Sequence, residues 1–506
     1  MLIQILGLSK TTPAKDLFSR VNFGLNKGDR IALVGENGTG KTTILKIILG
    51  LEDPDEGQVV KSGDITINWQ PQDPTDDFVL QKMEEINSSN ARQEAGFVEI
   101  INGLKLWEEL EKSIGSLSGG ERTKIVLAAA LIFPANLVIL DEPTNYLDLE
   151  SLAWLEKYLD RKQPTLLFVS HDREFLDKIS NQILLLENGL IKNYAGNYTE
   201  FCQKREKETE ATMTTYRLQQ KTKEQLLSQV ETVKNQALKT ENSTHNDVMR
   251  RYAKKVAKKA KVMENRVEKM ISRDDWVSEI RETPKIHLEF ESRLESGQTL
   301  LSAKNLSFGY GEDSLLLKDI DFRLVQGEKV AILGANGSGK TTLLRIFDQE
   351  LAPQAGQIWR NDQALFSYFS QRLIDILSTE TVLAAAKGDT SCSDSYARNI
   401  LGMLLITKDK VFEPVENLSL GEKTRLGLAK VLISSPDVLI LDEFSAHLDL
   451  ESLEKVEEAI NYFKGAVLLV THDRYMLRNL NLDKIYLLEG GKLKEMYGNL
   501  DNYLTD

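Results

Sequence analysis

The segment GENGTGKT at residues 35–42 returns as GANGSGKT at residues 334–341, 299 positions further along the same 506-residue chain. Both copies fit G-x-x-x-x-G-K-[ST]. Glycines at that spacing let successive backbone N–H groups wrap a phosphate chain, the lysine reaches the terminal phosphates, and the last hydroxyl serves Mg2+. Each loop follows a short apolar run ending in glycine, IALVG or VAILG, as buried parallel strands do. Each then opens a helix, TTILKIILG or TTLLRIFDQ.

The duplication extends beyond the loops. LSGGE at Leu117 pairs with LSLGE at Leu418, LDE at Leu140 with LDE at Leu441, and SHDREFL with THDRYML around His171 and His472, all at one offset of 301. A constant offset means two copies of one α/β domain, with length changes confined to what lies between. The expected division is a first lobe over 1–200, a linker over 201–297 and a second lobe over 298–506.

The linker has another character. It holds no glycine or proline from Phe201 until Pro284, and apolar residues keep a three-four spacing at Leu226, Val230, Val233 and Ala237. The pattern resumes at Val248, Tyr252, Val256, Ala260, Met263 and Val267. That periodicity is helical. The polar run 240–246 reads as a turn, which predicts an antiparallel helical hairpin with arms of roughly 55 to 60 Å at ~1.5 Å per residue.

Charge distinguishes the second arm. The chain's net charge of −13 disfavours a general nucleic-acid coat protein. Yet residues 250–273 hold ten basic residues (Arg250, Arg251, Lys254, Lys255, Lys258, Lys259, Lys261, Arg266, Lys269, Arg273) against Glu264 and Glu268. Such a rod can follow an RNA backbone through phosphate contacts and shape. The competing reading is charge that merely solvates a hairpin.

Other classes are disfavoured by composition. The most apolar stretch, residues 125–140, is broken by Pro134 and Asn136 and runs into Asp141 and Glu142, so no membrane span is expected. The N-terminus lacks a basic leader and reads as a first strand. Cys202 and Cys392 are the only cysteines and offer neither a disulfide framework nor metal spacing, which fits a cytoplasmic location.

LSGGE between a phosphate loop and LDEPT, with NYLD behind it, resembles the signature and D-loop of the ATP-binding cassettes, and the resemblance covers both lobes. It implies an α/β fold of two P-loop cassettes joined by the hairpin, and ATP hydrolysis with Mg2+. ATP would be held by Gly35, Glu36, Asn37, Gly38, Thr39, Gly40, Lys41, Thr42 and Thr43 in the first cassette. Gly334, Ala335, Asn336, Gly337, Ser338, Gly339, Lys340, Thr341 and Thr342 would do so in the second. The signatures (Ser118, Gly119, Gly120, Glu121; Ser419, Gly421, Glu422) would bring a helix N-terminus to the γ-phosphate held by the other cassette. One chain would then pair its own cassettes head to tail, as a monomer that nucleotide closes.

The same resemblance implies the remaining roles. Asp141 and Asp442, with Thr42, Thr341, Gln72 and Gln371, would hold Mg2+; Glu142 and Glu443 would act as general bases. His171 and His472 would contact the γ-phosphate, and Gln72 and Gln371 would report it. Taken singly, an Asp-Glu pair at a strand end is a solvated cap and a lone histidine is a satisfied residue. Their fixed order, twice, favours chemistry.

Two cassettes without a membrane domain, a basic hairpin between them and YAGNYTEF leading into it resemble the ABC-F proteins. That implies binding at the tRNA exit site of the ribosome, with the hairpin directed to peptidyl-tRNA and the peptidyl-transferase centre. The partners would be rRNA and tRNA, and the role a translation factor or an antibiotic-resistance protein that protects the ribosome. Only 45 positions separate Gln72 from Leu117, and 47 separate Gln371 from Leu418. That leaves no room for the extra arm of some housekeeping members, so the expectation leans to the resistance branch. A DNA-structure or repair ATPase of the same family, for which a basic C-terminal coiled coil is expected, and the motor of a separate permease are the competing readings.

The two halves depart from the pattern unequally. Tyr310 in SFGY fills the place of the aromatic that stacks on adenine, where the first half offers Thr11 or Thr12. The second signature has Leu420 in place of a glycine, and Phe444-Ser445-Ala446 replaces Pro-Thr-Asn. Because signature and loop pair across the dimer, both departures fall on the site of residues 35–42 with 418–422, which is expected to be slow or structural. The site of residues 334–341 with 117–121 is expected to be fast. With both glutamates present, two active sites remain the alternative.

Overall fold

The computed structural model describes residues 1–13, 15–88, 92, 96–242, 247–271, 297–311, 315–369, 380–445 and 448–496. Each lobe is built on a six-stranded sheet. In the first the spatial order is Ile67–Gln70, Leu137–Asp141, Leu166–Val169, Arg30–Gly35, Gln182–Glu187 and Leu190–Ala195, parallel except for the last strand. In the second it is Phe366–Phe369, Val438–Asp442, Ala466–Val470, Lys329–Leu333, Lys484–Glu489 and Lys492–Glu495, again antiparallel only at the end. The repeat inferred from motif offsets is thus a repeat of topology.

A three-stranded antiparallel sheet completes each lobe: Asp16–Leu25, Ile3–Thr11 and Glu56–Lys61 in the first, Leu317–Val325, Thr299–Phe308 and Ala355–Arg360 in the second. In the second lobe one apolar core joins this small sheet, the P-loop helix and one face of the large sheet. A separate core joins the opposite face to the helices around Leu420–Ile433. Strands covered on both faces must be apolar throughout, which is why LVILD and VLILD are buried at every position.

Close packing fixes one glycine in the helical layer of the first lobe. Gly103 lies in the helix Phe97–Leu104, and a Cβ added there would stand 2.1 Å from the Trp154 ring of helix Leu149–Lys162. The indole cannot retreat freely, because it stacks on Tyr158 at 5.2 Å. Gly103→Ala is expected to destabilise the protein by about 1–3 kcal/mol through overpacking. An unchanged denaturant midpoint would show that the ring yields without cost.

The chain divides into two compact units, Met1–Tyr198 with Lys285–Asp506, and Thr199–Pro284. In the linker unit the first arm lies in the helix Tyr198–Asn242, which has 45 residues, and the second in Asp247–Ile271, which has 25. Thr240, Glu241 and Asn242, read from sequence as part of the turn, are helical instead. Propagating a formed helix adds one hydrogen bond per residue fixed, so polar residues without glycine or proline continue it. Residues 243–246, the rest of that turn, lie outside the described residues. Val230, Ala260 and Val267 are buried, and Lys234 pairs with Glu264 across the arms. Lys254, Lys255, Lys258, Lys259 and Lys261 are exposed.

Candidate functional site

The two phosphate loops have nearly the same conformation. Gly40 and Gly339 stand at φ 102° and 103°, in the left-handed region, and cap the helices Lys41–Leu49 and Lys340–Phe347. Lys41 Nζ donates to the carbonyls of Gly35 (2.7 Å) and Glu36 (2.9 Å), and Lys340 Nζ to those of Gly334 (2.9 Å) and Ala335 (3.1 Å). Burial lowers both amines from their ordinary range. A loop that curls around its own lysine leaves its N–H groups and the helix N-terminus facing one point, the geometry that binds phosphate.

The LDE strands end beside these loops. Glu142 and Glu443 both adopt left-handed backbone, at φ 53° and 46°, and each N–H bonds the next strand, to Val169 O at 2.9 Å and Val470 O at 3.0 Å. Non-glycine residues held this way cost about 1–3 kcal/mol and concentrate at functional sites. The strain recurs at the same motif position in both lobes.

Around these strand ends the lobes differ. In the first, both Asp141 carboxylate oxygens are buried with the Thr42 hydroxyl beside them, and burial pushes the group up to about 6. A buried carboxylate with acceptor capacity left over beside a hydroxyl fits a cation. Glu142 is buried too. Its Oε2 accepts the His171 N–H at 3.2 Å, and its Oε1 stands 3.3 Å from His171 Nε2. Burial, reinforced by the Asp141 carboxylate, pushes Glu142 up to about 8, while burial and Lys41 draw His171 down to about 3.

In the second lobe Asp442 is already engaged: Oδ1 accepts from Thr341 Oγ1 at 3.3 Å and Oδ2 from the Tyr368 hydroxyl at 2.9 Å. The Glu443 side chain is 48% exposed, and His472, 3.5 Å away, holds its carboxyl below the ordinary value. A cavity of about 970 Å³ opens in front of it. This cavity brings together Tyr310, Asn336, Gly337, Gly339, Lys340, Thr341, Thr342, Glu443 and His472 of the second lobe with Ser118, Gly120 and Glu121 of the first. The pairing of one lobe's loop with the other's signature is therefore present in the fold.

Both signatures open helices through capping boxes. The Ser118 hydroxyl accepts the Glu121 N–H at 3.3 Å while the Glu121 carboxylate accepts the Ser118 N–H at 2.7 Å; Ser419 and Glu422 do the same at 3.4 and 2.9 Å. Lys112 binds Glu121 and draws its carboxyl to about 2. Leu420 leaves the second cap intact, being the first helical residue and 48% exposed. What it changes is the surface offered to a phosphate.

Further contacts cross between the lobes. The Asn37 N–H donates to Asp449 Oδ2 at 3.3 Å and Asn336 Nδ2 to Tyr146 O at 3.3 Å, while within the first lobe Asn37 Oδ1 stands 3.2 Å from His171 Nε2. Tyr146 lies in the NYLD stretch but was not among the residues expected to bind nucleotide; it stands at a positive φ of 67° and its carbonyl accepts from the opposite loop. Gln72 is half-buried; nearby, the Gln70 Nε2 donates to the backbone carbonyl of Asp141 at 3.1 Å. Only the final residue of an apolar strand marked it in the sequence. Gln371 lies outside the described residues, as does Ala446. Tyr310 presents a ring 68% exposed, with its hydroxyl 3.1 Å from Thr342 Oγ1, whereas Thr11 is committed to Asp55 at 2.7 Å.

Among the described residues no helix is long and apolar enough to cross a membrane. A family model described as ABC transporter matches residues 18–145 and 317–446, and a second of the same description matches 184–288. The chain is 31% identical over 501 residues to the ribosome protection protein VmlR of Bacillus subtilis, covering 98% of this chain and 88% of that one. It is 29% identical over 556 residues to ABC transporter F family member 5 of Arabidopsis thaliana, covering 99% and 77%. Among solved structures, the complex of an archaeal ribosomal stalk protein with the archaeal ribosome recycling factor aABCE1 matches with a TM-score of 0.66 at 21% identity, covering 98% of this chain and 92% of that one. Paired cassettes with ATP-binding loops, the family matches and these relatives agree: the chain belongs to the ABC-F family of ATP-binding-cassette ATPases.

Proposed function

We propose that this ATPase is a ribosome factor whose hairpin acts on P-site tRNA and the peptidyl-transferase centre from the tRNA exit site, as a translation factor or a resistance protein. The observation that carries the reading is the row of exposed lysines on the second arm, joined to cassettes that contact each other loop to D-loop. Phosphate-rich RNA is the partner such a row suits. The ribosome protection named for VmlR and the ribosome recycling named for aABCE1 support the same class of partner.

At the chemical step the phosphate loops bind ATP and orient it for in-line attack. Mg2+, held by Asp141 with Thr42 or by Asp442 with Thr341, would neutralise charge between the β- and γ-phosphates. Glu443 Oε1, ionised and open to the cavity, accepts the proton of the attacking water, and His472 holds that carboxylate in its charged form. The signature helix of the first lobe offers its N-terminus to the γ-phosphate. Hydrolysis then releases the clamp and, with it, the hairpin.

The test is a chain that binds ATP without hydrolysing it. Glu142→Gln with Glu443→Gln is expected to co-sediment with ribosomes in ATP and to arrest growth when expressed. Migration free of ribosomes at saturating ATP would sink the proposal.

A further inference from the structure

The lobes are also joined by ion pairs outside the loops, signatures and D-loops. Arg173 opens the helix Arg173–Ile179 directly after His171-Asp172, and Arg474 opens Arg474–Asn479 directly after His472-Asp473. Both are 1% exposed. The Arg173 guanidinium bonds both carboxylate oxygens of Glu457 in the second lobe, one of them at 3.2 Å, and stands 3.4 Å from Asp473 Oδ2. Arg474 does the converse, bonding both oxygens of Glu156 in the first lobe, one at 3.0 Å, and standing 3.7 Å from Asp172 Oδ2.

The brace is itself duplicated. Arg173 and Arg474, like Glu156 and Glu457, are separated by the same 301 positions as the motifs. A buried guanidinium is tolerated only when a forked partner and further acceptors meet it, and both copies supply these. The aspartates are held from two sides. Asp473 Oδ1 accepts the Met476 N–H at 2.9 Å within its own helix while Oδ2 faces Arg173; Asp172 Oδ1 accepts the Phe175 N–H at 2.9 Å while Oδ2 faces Arg474. Each aspartate is the chain neighbour of a site histidine.

We infer that Arg173 and Arg474 are positioning residues for hydrolysis: Arg173 sets His472 through Asp473, and Arg474 sets His171 through Asp172. Each histidine is therefore oriented from the opposite cassette, and the two ATP sites are linked at a place separate from the loop-to-signature contacts. The braces are unequal. Tyr475 stacks on Arg173, 4.1 Å from guanidinium to ring, whereas the matching Glu174 adds a carboxylate 3.4 Å from Arg474.

The inference rests on His171 and His472 facing the γ-phosphate, so the test includes His472→Ala beside Glu457→Gln, both in the full chain, with kcat and KM measured for ATP. Glu457→Gln is expected to lower kcat at least fivefold while KM changes less than twofold, because binding is left intact and orientation is lost. Reduced kcat in His472→Ala with natural kcat in Glu457→Gln overturns the brace. Natural kcat in His472→Ala overturns the histidine reading and the brace with it. Should Glu457→Gln fail to fold, Glu457→Asp and Arg173→Lys keep the charges but shift the fork: a fall in kcat at constant KM supports the inference, and natural kcat in both overturns it.

Discussion

Glu443→Gln is expected to lower steady-state ATP hydrolysis about a hundredfold or more, the scale of a lost general base. Glu142→Gln should lower it less than about threefold. The two carboxyls stand at equivalent motif positions with the same strained backbone, but their surroundings are opposite. Glu443 opens to the shared cavity and is held below its ordinary value by His472, so it is ionised at neutral pH and can take a proton. Glu142 is 5% exposed, and burial beside the Asp141 carboxylate holds it well above its ordinary value, so it is less often ionised at neutral pH and takes a proton from water less readily. The sign of the pH effect follows. A carboxyl with a raised pKa becomes a base only above that pKa, so residual activity of Glu443→Gln should climb between pH 7 and 9. Equal losses in the two single variants would restore the alternative of two equivalent sites.

Neutralising the second arm should produce the other large effect. Lys254, Lys255, Lys258, Lys259 and Lys261 are exposed, and glutamine has nearly the helix propensity of lysine, so the five-fold Lys→Gln variant should keep its helix content. If all five meet RNA phosphates, the slope of log affinity for ribosomes against log salt falls by about 3.5 to 4.5, and affinity near 0.15 M salt drops about a thousandfold. Ribosome sedimentation across a salt series measures both quantities. An unchanged slope would mean that the charge only solvates the hairpin.

Much of the site was readable because its chemistry is written in short contiguous stretches. The phosphate loops, LDE ends and signatures each need neighbouring residues on one turn, so the glycine spacing and the Ser-x-x-Glu capping boxes name their own structures. Arg173 gave no such signal. An arginine after a histidine and an aspartate reads as a solvated helix start, and the partner that makes it a buried brace, Glu457, lies 284 positions away. Gln70 was hidden for a related reason: at the end of an apolar strand it reads as a boundary, and only the pairing of Gln70 with Leu140 puts it beside Asp141. That Thr240, Glu241 and Asn242 are helical was not legible, because polar composition marks a turn only weakly when no glycine or proline enforces it.

By itself the sequence determined the duplication, the α/β character of each lobe, the glycine-rich loops between strand and helix and the helical linker. All of these rest on local spacing, which backbone geometry converts directly into loops, strands and helices. Only the tertiary structure decided which of two equivalent glutamates is dry and which is open, and what holds the lobes together behind their histidines. Burial and ion pairing depend on atoms brought from hundreds of residues away, and the energy of a charge is set by that surrounding rather than by its place in a motif.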